Sequence, residues 1–477
     1  MSSNSSYAEI AVFTKGRFSN NLYSYKIPDQ LVNKIKIGSV VKVPFNNKYQ
    51  EGVVLELFTN SDHIQFKIKE VDDILFQADE KFLAYSKLLS NYYINPLGHT
   101  IYNYLYDFLN KKSISNENRK SYPEYIFNID CRIDLCKNIS PNNINIIYCP
   151  SIKAIESLTH YLTENDVEIA YKQTTGGKVE KNIVTKLINK ANKGVFLILN
   201  TLIYNPFFNK ENIFLHYWDM NNFKYNESRK PYFNLIDVAN IQSIFYNHKQ
   251  YFYGEFPNYQ FVKKYIETNN LIPELDIKYY YDTDVKNALL SFLRNSENLD
   301  LDRAIFNLNY CSKEMKDDLY KIIEEFTMPK EYLESNKVKS VNVLVEPTIS
   351  YNGVLNSDTL SSLIRYLNIM SKNSSKLYVI TSKSSTILSL LNDVNINKWT
   401  KKEFEYRNKY GPHHSLKIVN IESDIPIDLD ELKITGPIKD SPVSKYKYQL
   451  SYSLNDVFET NYFDKLKKYN YSFIKYF

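Results

Sequence analysis

From Val40 to Val43, and again from Val53 to Leu57, apolar and polar side chains alternate. A period of two is the mark of a half-buried strand, and the intervening Pro44-Phe45-Asn46-Asn47 predicts the turn that joins two such strands. Further strand-like runs flank them at Tyr7–Val12, Leu22–Pro28 and Ile37–Phe45, followed by Glu51-Gly52-Val53-Val54 and a closing Tyr92-Tyr93-Ile94-Asn95-Pro96-Leu97-Gly98. Ile101, Tyr104, Leu105 and Phe108 then recur at helical spacing. The pattern predicts a small β-rich domain over residues 1–110.

A chain of 477 residues is long enough for roughly two to four domains, and 43% hydrophobic with 24% charged residues is the balance of a globular protein. The net charge of +5 permits a polyanionic partner without demanding one. Four cysteines in a chain of this size are too few for a disulfide framework. No leader of the basic-apolar-cleavage type opens the sequence, and no apolar run approaches a bilayer span, so the expectation is a cytoplasmic, nucleoid-associated protein without membrane contact.

After a polar stretch, Lys111–Ser121, a different rhythm begins. Ile144–Cys149 predicts a buried strand, Ser151–Thr163 a helix capped by Ser151, Val167–Tyr171 a strand, Val179–Ala191 a helix, and Gly194–Leu199 and Ile213–Trp218 two more strands. Strands alternating with amphipathic helices predict parallel βαβ units. A strand at Val341–Val345, a helix at Thr359–Met370 and a strand at Lys376–Thr381 repeat the layout. The expected organisation is a linker over 111–143, lobes over 144–299 and 300–425, and a C-terminal domain over 426–477.

The residues of the first domain, in their order, resemble the amino-terminal domain of the replication restart protein PriA family: an aromatic strand ending in Pro28, Gly38 before a Val-Lys-Val-Pro-Phe run, Gly52-Val53-Val54, and Tyr92-Tyr93 followed by Pro96-Leu97-Gly98. In that family the domain holds the 3′ end of the nascent leading strand, and the resemblance puts the corresponding pocket on Tyr23, Ser24, Asn46 and Lys69. Ser24 and Asn46 depart from the aspartate and glycine usual there. Later pieces are also similar: Cys149-Pro150-Ser151, the Asn200–Pro206 loop, His216-Tyr217-Trp218-Asp219, Arg229-Lys230-Pro231-Tyr232, Glu405–Pro412, Gly436-Pro437-Ile438 and Lys445–Leu450. The implied fold class is α/β: a β-rich N-terminal DNA-binding domain, two degenerate RecA-like helicase lobes and a small α+β C-terminal domain.

The motor chemistry of such a family is missing. A phosphate cradle needs closely spaced glycines followed by lysine and a hydroxyl residue, and no glycine stands between Gly98 and Gly176. Thr174-Thr175-Gly176-Gly177-Lys178-Val179 has the wrong spacing, with Val179 where Ser or Thr is required. Of a Walker B box only Asp219 survives, followed by Met220-Asn221-Asn222. The family's zinc ribbons are built from Cys-X-X-Cys pairs, of which the chain has none. No cofactor is expected; ATP enters by family resemblance alone, and zinc is not anticipated.

Binding is what remains. Phosphate contacts are expected from Lys15, Arg17, Lys42, Lys48, Lys67 and Lys69, and from Lys445, Lys447, Lys465, Lys467 and Lys468, with base stacking on Tyr23 and Phe45. The expectation is a PriA-like protein without catalytic residues that binds forked or single-stranded DNA. Single-stranded DNA-binding protein and the replicative helicase or its loader are partners implied by the resemblance. The competing readings are an active ATP-dependent 3′-to-5′ helicase with divergent motifs and an interaction scaffold that no longer touches DNA.

Overall fold

A computed structural model of the chain describes residues 7–15, 22–59, 68–110, 123–127, 131–205, 212–220, 222–227, 233–254, 276–295, 304–307, 313–324, 341–345, 376–382, 417–427, 434–438, 445–466, 469 and 471–476. The expected helix at 359–370 and the segments 229–232 and 405–412 lie outside these residues, as do Arg17, Lys67, Lys467 and Lys468. The chain divides into two compact units, Met1–Glu255 with Leu416–Tyr476, and Phe256–Ser415.

The first unit opens with β1 (Tyr7–Val12), β2 (Leu22–Lys26), β3 (Ser39–Phe45), β4 (Lys48–Phe58) and β5 (Asp73–Gln77), in the order β2-β1-β4-β3-β5. β3 runs on through Pro44 and Phe45, so the turn is the two residues Asn46 and Asn47, at φ 44° and 59°. That left-handed pair is the hairpin turn whose twist suits antiparallel strands, and asparagine tolerates it best after glycine. At Gly52 an added Cβ would lie 2.6 Å from Ile10 Cγ2 and 2.9 Å from the Ala11 carbonyl oxygen, so β4 passes β1 there only without a side chain.

The sheet is buried on both faces rather than one. Val41 and Val43 join Ile10, Val12, Tyr25 and Val54 in one core, while Val40 and Val53 join a second core reached by α1 (Glu80–Tyr92). Asp79 starts α1 by accepting the Phe82 N–H at 3.0 Å. The chain then turns through α2 (Leu97–Thr100), a wider turn at Ile101–Leu105 and a tight one at Tyr106–Phe108.

Next come β6 (Glu124–Phe127), α3 (Cys131–Asn138), β7 (Ile144–Cys149), α4 (Ile152–Glu164), β8 (Ile169–Lys172), α5 (Lys178–Lys190), β9 (Gly194–Leu199), β10 (Ile213–Tyr217), α6 (Leu235–Phe245) and β11 (Lys249–Gly254). They build a parallel sheet in the order β6-β11-β10-β7-β9-β8. β6 and α3 arise within the stretch read as a linker: β6 is four residues long and pairs with β11, more than a hundred residues away. Ser151 caps α4 by accepting the Ala154 N–H at 3.2 Å.

The second unit holds a parallel sheet in the order β12-β15-β14-β13, from β12 (Asp276–Tyr281), β13 (Ala304–Asn307), β14 (Val341–Val345) and β15 (Lys376–Thr381). Its helices α7 (Val285–Arg294) and α8 (Lys313–Glu324) supply Leu289, Phe292 and Leu319 to a core with Val343, Tyr378 and Ile380. Lys286 of α7 pairs with Asp318 of α8 at 2.7 Å.

The last strands return to the first unit. β16 (Lys417–Ser423), β17 (Ile434–Ile438), β18 (Tyr446–Tyr452) and β19 (Tyr471–Tyr476) form an antiparallel sheet with α9 (Leu454–Glu459) and α10 (Tyr462–Leu466). β16, which precedes the expected boundary at 426, is central to that sheet. α1 ties the three sheets of this unit together. Asn91 donates to the Val457 and Thr460 carbonyls at 3.0 and 2.9 Å, the Tyr452 hydroxyl donates to the Tyr92 carbonyl at 2.5 Å, and the Tyr93 hydroxyl donates to Asp237 Oδ2 at 3.0 Å while accepting the Asn234 N–H at 2.8 Å. Among the described residues no helix is long and apolar enough to cross a membrane.

Candidate nucleic-acid interface

β2 is an edge strand, hydrogen-bonded to β1 alone among the described strands. β1 and β4 lie between it and β3, yet the sheet curls so far over its core that β2 and the tip of β3 meet. The Tyr23 ring stands edge-on to the Phe45 ring at 4.9 Å, and the Tyr25 hydroxyl donates to the Pro44 carbonyl at 3.2 Å. Burial pushes the Tyr23 hydroxyl above the usual phenol range, and burial together with the neighbouring Tyr23 takes Tyr25 up to about 12. Both phenols therefore stay protonated donors throughout the physiological range.

This closure sets Asn46, next to Phe45 on the exposed turn, beside the edge strand that carries Tyr23. Ser24 follows Tyr23 with its side chain exposed. Lys48 is exposed opposite Phe45 in the hairpin register. Lys69 arrives at the far end of β2, where its carbonyl accepts the Lys26 N–H at 2.9 Å. Three residue steps of strand lead from Tyr23 to Lys26, about 10 Å. The four residues of the expected pocket are thus arranged around one strand edge: Tyr23 and Ser24 on it, Asn46 beside its start and Lys69 beside its end. Tyr25 was not singled out from the sequence, although it lies two residues from Tyr23 and so on the same face of β2.

Two other lysines of this domain are engaged. Lys42 bridges to Asp72 at 2.9 Å and lies over the Tyr49 ring at 4.3 Å, and Lys26 bridges to Glu70 at 2.9 Å. Lys445 and Lys447 are on β18, in a separate sheet: Lys445 bridges to Asp424 at 3.3 Å, and Lys447 faces Glu422 in the strand register.

At the carboxyl ends of β7 and β10 one side chain bridges the two strands. The chain leaves β7 towards β8 and leaves β10 towards β11, on opposite sides, so the switch point where open α/β sheets take ligands lies between β7 and β10. Tyr225 fills it. Its hydroxyl lies 3.0 Å from the Tyr148 carbonyl and 2.7 Å from the Trp218 carbonyl, and its side chain is fully buried. Asp219, at φ 53°, accepts from the Asn222 side-chain amide at 2.8 Å.

β6 ends at Phe127 and α3 begins at Cys131. The turn before α5 is occupied from within. Glu180 accepts the N–H and hydroxyl of Thr174 at 2.7 and 3.0 Å, the N–H and hydroxyl of Thr175 at 2.5 Å each, and the Tyr171 hydroxyl at 3.0 Å. Desolvation works against its ionisation, but the Thr174 backbone bond and the Thr175 and Tyr171 bonds outweigh it and hold the carboxyl at about 2. The donors a phosphate would need already serve a carboxylate. Cys131 and Cys149 are buried, the Cys131 thiol lies 3.3 Å from the Gly254 carbonyl, and burial, with Asp219 nearby, pushes the Cys149 thiol up.

Residues 9–105 match the 3′DNA-binding domain (3′BD) described for PriA. The matched span runs from β1 to the turn after α2, and so contains the curled sheet, Tyr23, Ser24, Asn46, Lys48 and Lys69. The replication restart proteins PriA of Chlamydia trachomatis and Chlamydia muridarum are each 32% identical over 103 residues. That alignment covers 20% of this chain and 13% of each relative. Among solved structures, the DUF1998 helicase MrfA is 12% identical with a TM-score of 0.34, covering 62% of this chain and 50% of its own. A DEAD box protein from Methanococcus jannaschii is 8% identical with a TM-score of 0.25, over 61% of this chain and 86% of its own. Neither likeness is close enough to carry a functional reading.

Proposed function

We propose that this chain is a PriA-like replication restart protein that binds branched DNA at stalled or collapsed replication forks and helps reload the replisome, without turning over ATP. The observation that carries the reading is the coincidence of the 3′BD match with the one strand edge at which Tyr23, Ser24, Asn46 and Lys69 gather. An unpaired terminal base stacks on an aromatic ring, worth about 1 to 3 kcal/mol per base, while lysines such as Lys48 and Lys69 neutralise the flanking phosphates. Tyr25 holds the Pro44 carbonyl, and so keeps the hairpin tip against β2.

In this reading the parallel sheets of the two units are degenerate RecA-like lobes, and β16–β19 with α9 and α10 is the C-terminal domain. Lys445 and Lys447 would extend the phosphate track. The Tyr225-filled switch point and the Glu180-occupied turn before α5 support recognition without hydrolysis. Single-stranded DNA-binding protein and the replicative helicase or its loader are the partners that such a platform would serve, in the cytoplasm at the nucleoid.

Fluorescence anisotropy on a fork with a free 3′-hydroxyl, the same fork with a 3′-phosphate, and blunt duplex tests the proposal. The expected order is fork over duplex, at the same affinity with and without ATP. Equal affinity for fork and duplex, or ATP-driven strand separation above a blank preparation, would overturn it.

A further inference from the structure

α5 carries two apolar stripes of different fate. Val184 and Ile188 are completely buried in the core of the first unit, whereas Val179, Ile183 and Leu187 stand out at 75%, 46% and 39% exposure. At 3.6 residues per turn, positions 179, 183 and 187 lie on one face, and 186 and 190 prolong it. The face therefore begins apolar and ends basic, with Lys186 and Lys190 over its last turns. Lys178 before it and Lys193 after it are exposed as well. Among the described residues none of these four lysines is in an ion pair or hydrogen bond. The neighbouring carboxylate, Glu180, is turned inward to Thr174, Thr175 and Tyr171.

Exposed Val, Ile and Leu in register over about 12 Å of helix face gain nothing in water, since a single exposed apolar residue is ordinary but a stripe of them is a contact surface. Charge then selects the occupant. A second copy of the chain would bring like charges together. A phosphate backbone would suit the lysines but would lie against three apolar side chains that cannot bond it. We propose that this face of α5 docks an acidic amphipathic helix of a partner protein, its apolar residues at i, i+3, i+4 and i+7 packing on Val179, Ile183 and Leu187 and its carboxylates meeting Lys186 and Lys190. The site is separate from the N-terminal strand edge and stands independently of what that edge binds.

The test uses the full chain and two fluorescein-labelled synthetic helices of the same leucine spacing, one flanked by glutamates and one by lysines. Saturable binding of the glutamate helix is expected, weakened about tenfold by Ile183→Glu and about tenfold by the pair Lys186→Glu and Lys190→Glu. The charge-reversed pair should in turn bind the lysine helix, an exchange that a folding defect cannot produce; exposed substitutions of this kind leave the melting curve in place. No saturable binding, equal affinity for the two helices, displacement by phosphatidylglycerol vesicles or duplex DNA, or dimerisation that depends on Ile183 would overturn the proposal.

Discussion

The edge of the N-terminal sheet and the carboxyl edge of the parallel sheet beside it are built from similar side chains and end differently. At β2 Tyr23 leans on Phe45, Tyr25 holds the hairpin tip, and Ser24, Lys48 and Lys69 face solvent. At the β7–β10 switch point a tyrosine fills the opening, with the Tyr225 hydroxyl held against two carbonyls. A buried hydroxyl with a satisfied proton is hard to displace, because its removal takes away the bond that the Trp218 carbonyl accepts, although the Tyr148 carbonyl keeps the Trp218 N–H at 2.9 Å. One sheet leaves Ser24 of its edge strand exposed, while the other closes over a buried tyrosine.

The comparison breaks most readily at Tyr225. Replacing a buried aromatic by alanine costs about 3 to 5 kcal/mol, so Tyr225→Ala should lower the denaturant midpoint of the first unit strongly. It should not confer nucleotide binding, because the Thr174 and Thr175 donors before α5 still serve Glu180. Appearance of saturable ADP binding in this variant would mean that the tyrosine is a gate over an intact site.

A second consequence of closure is acid sensitivity. His216 is fully buried, its Nδ1 3.0 Å from the Tyr253 hydroxyl and its Nε2 3.3 Å from Asn145 Oδ1. Burial, and then the charge of Lys249, lower its pKa to about 3. The folded state thus holds the imidazole neutral where the unfolded chain would protonate it. Its contribution is complete above about pH 6.5 and falls by up to about 1.4 kcal/mol per pH unit as the pH drops towards 3. Urea titrations at pH 7, 6 and 5 should show that slope in the wild type and a shallower one in His216→Phe.

Much of this was legible in the chain. Ile144–Cys149 and Gly194–Leu199 are strands with the predicted ends, and Ser151 caps the helix it was expected to cap. What was hidden depends on distant partners. β6 is a four-residue run in polar surroundings, stabilised by pairing with Tyr251–Gly254. α1 was not anticipated as the element on which three sheets converge, because its contacts through Asn91, Tyr92 and Tyr93 reach residues far along the chain. At the candidate interface, alternation puts Tyr23 on a strand face, but the curl that brings it to Phe45 belongs to the whole sheet.

On the open side, smaller effects sharpen the contrast. If Lys69 meets a phosphate, Lys69→Ala should reduce the slope of log affinity against log salt by about 0.7 to 0.9, with a similar effect on fork and single strand. An unchanged slope would remove it from the interface. The smallest expected change is at the turn: Asn47 sits at φ 59°, so Asn47→Gly should stabilise the hairpin by under about 1 kcal/mol without altering DNA affinity. A drop in thermal stability would show that the asparagine side chain does more than tolerate the turn.

The most direct measurement is an anisotropy titration of a fork with an exposed 3′ end at fixed salt, comparing the wild-type chain with Tyr23→Ala in the presence and absence of magnesium and ATP. A loss of about 1 to 3 kcal/mol on removing Tyr23, the same with and without nucleotide, is predicted. Undiminished fork binding by Tyr23→Ala at unchanged stability, or an affinity that follows ATP, would contradict it.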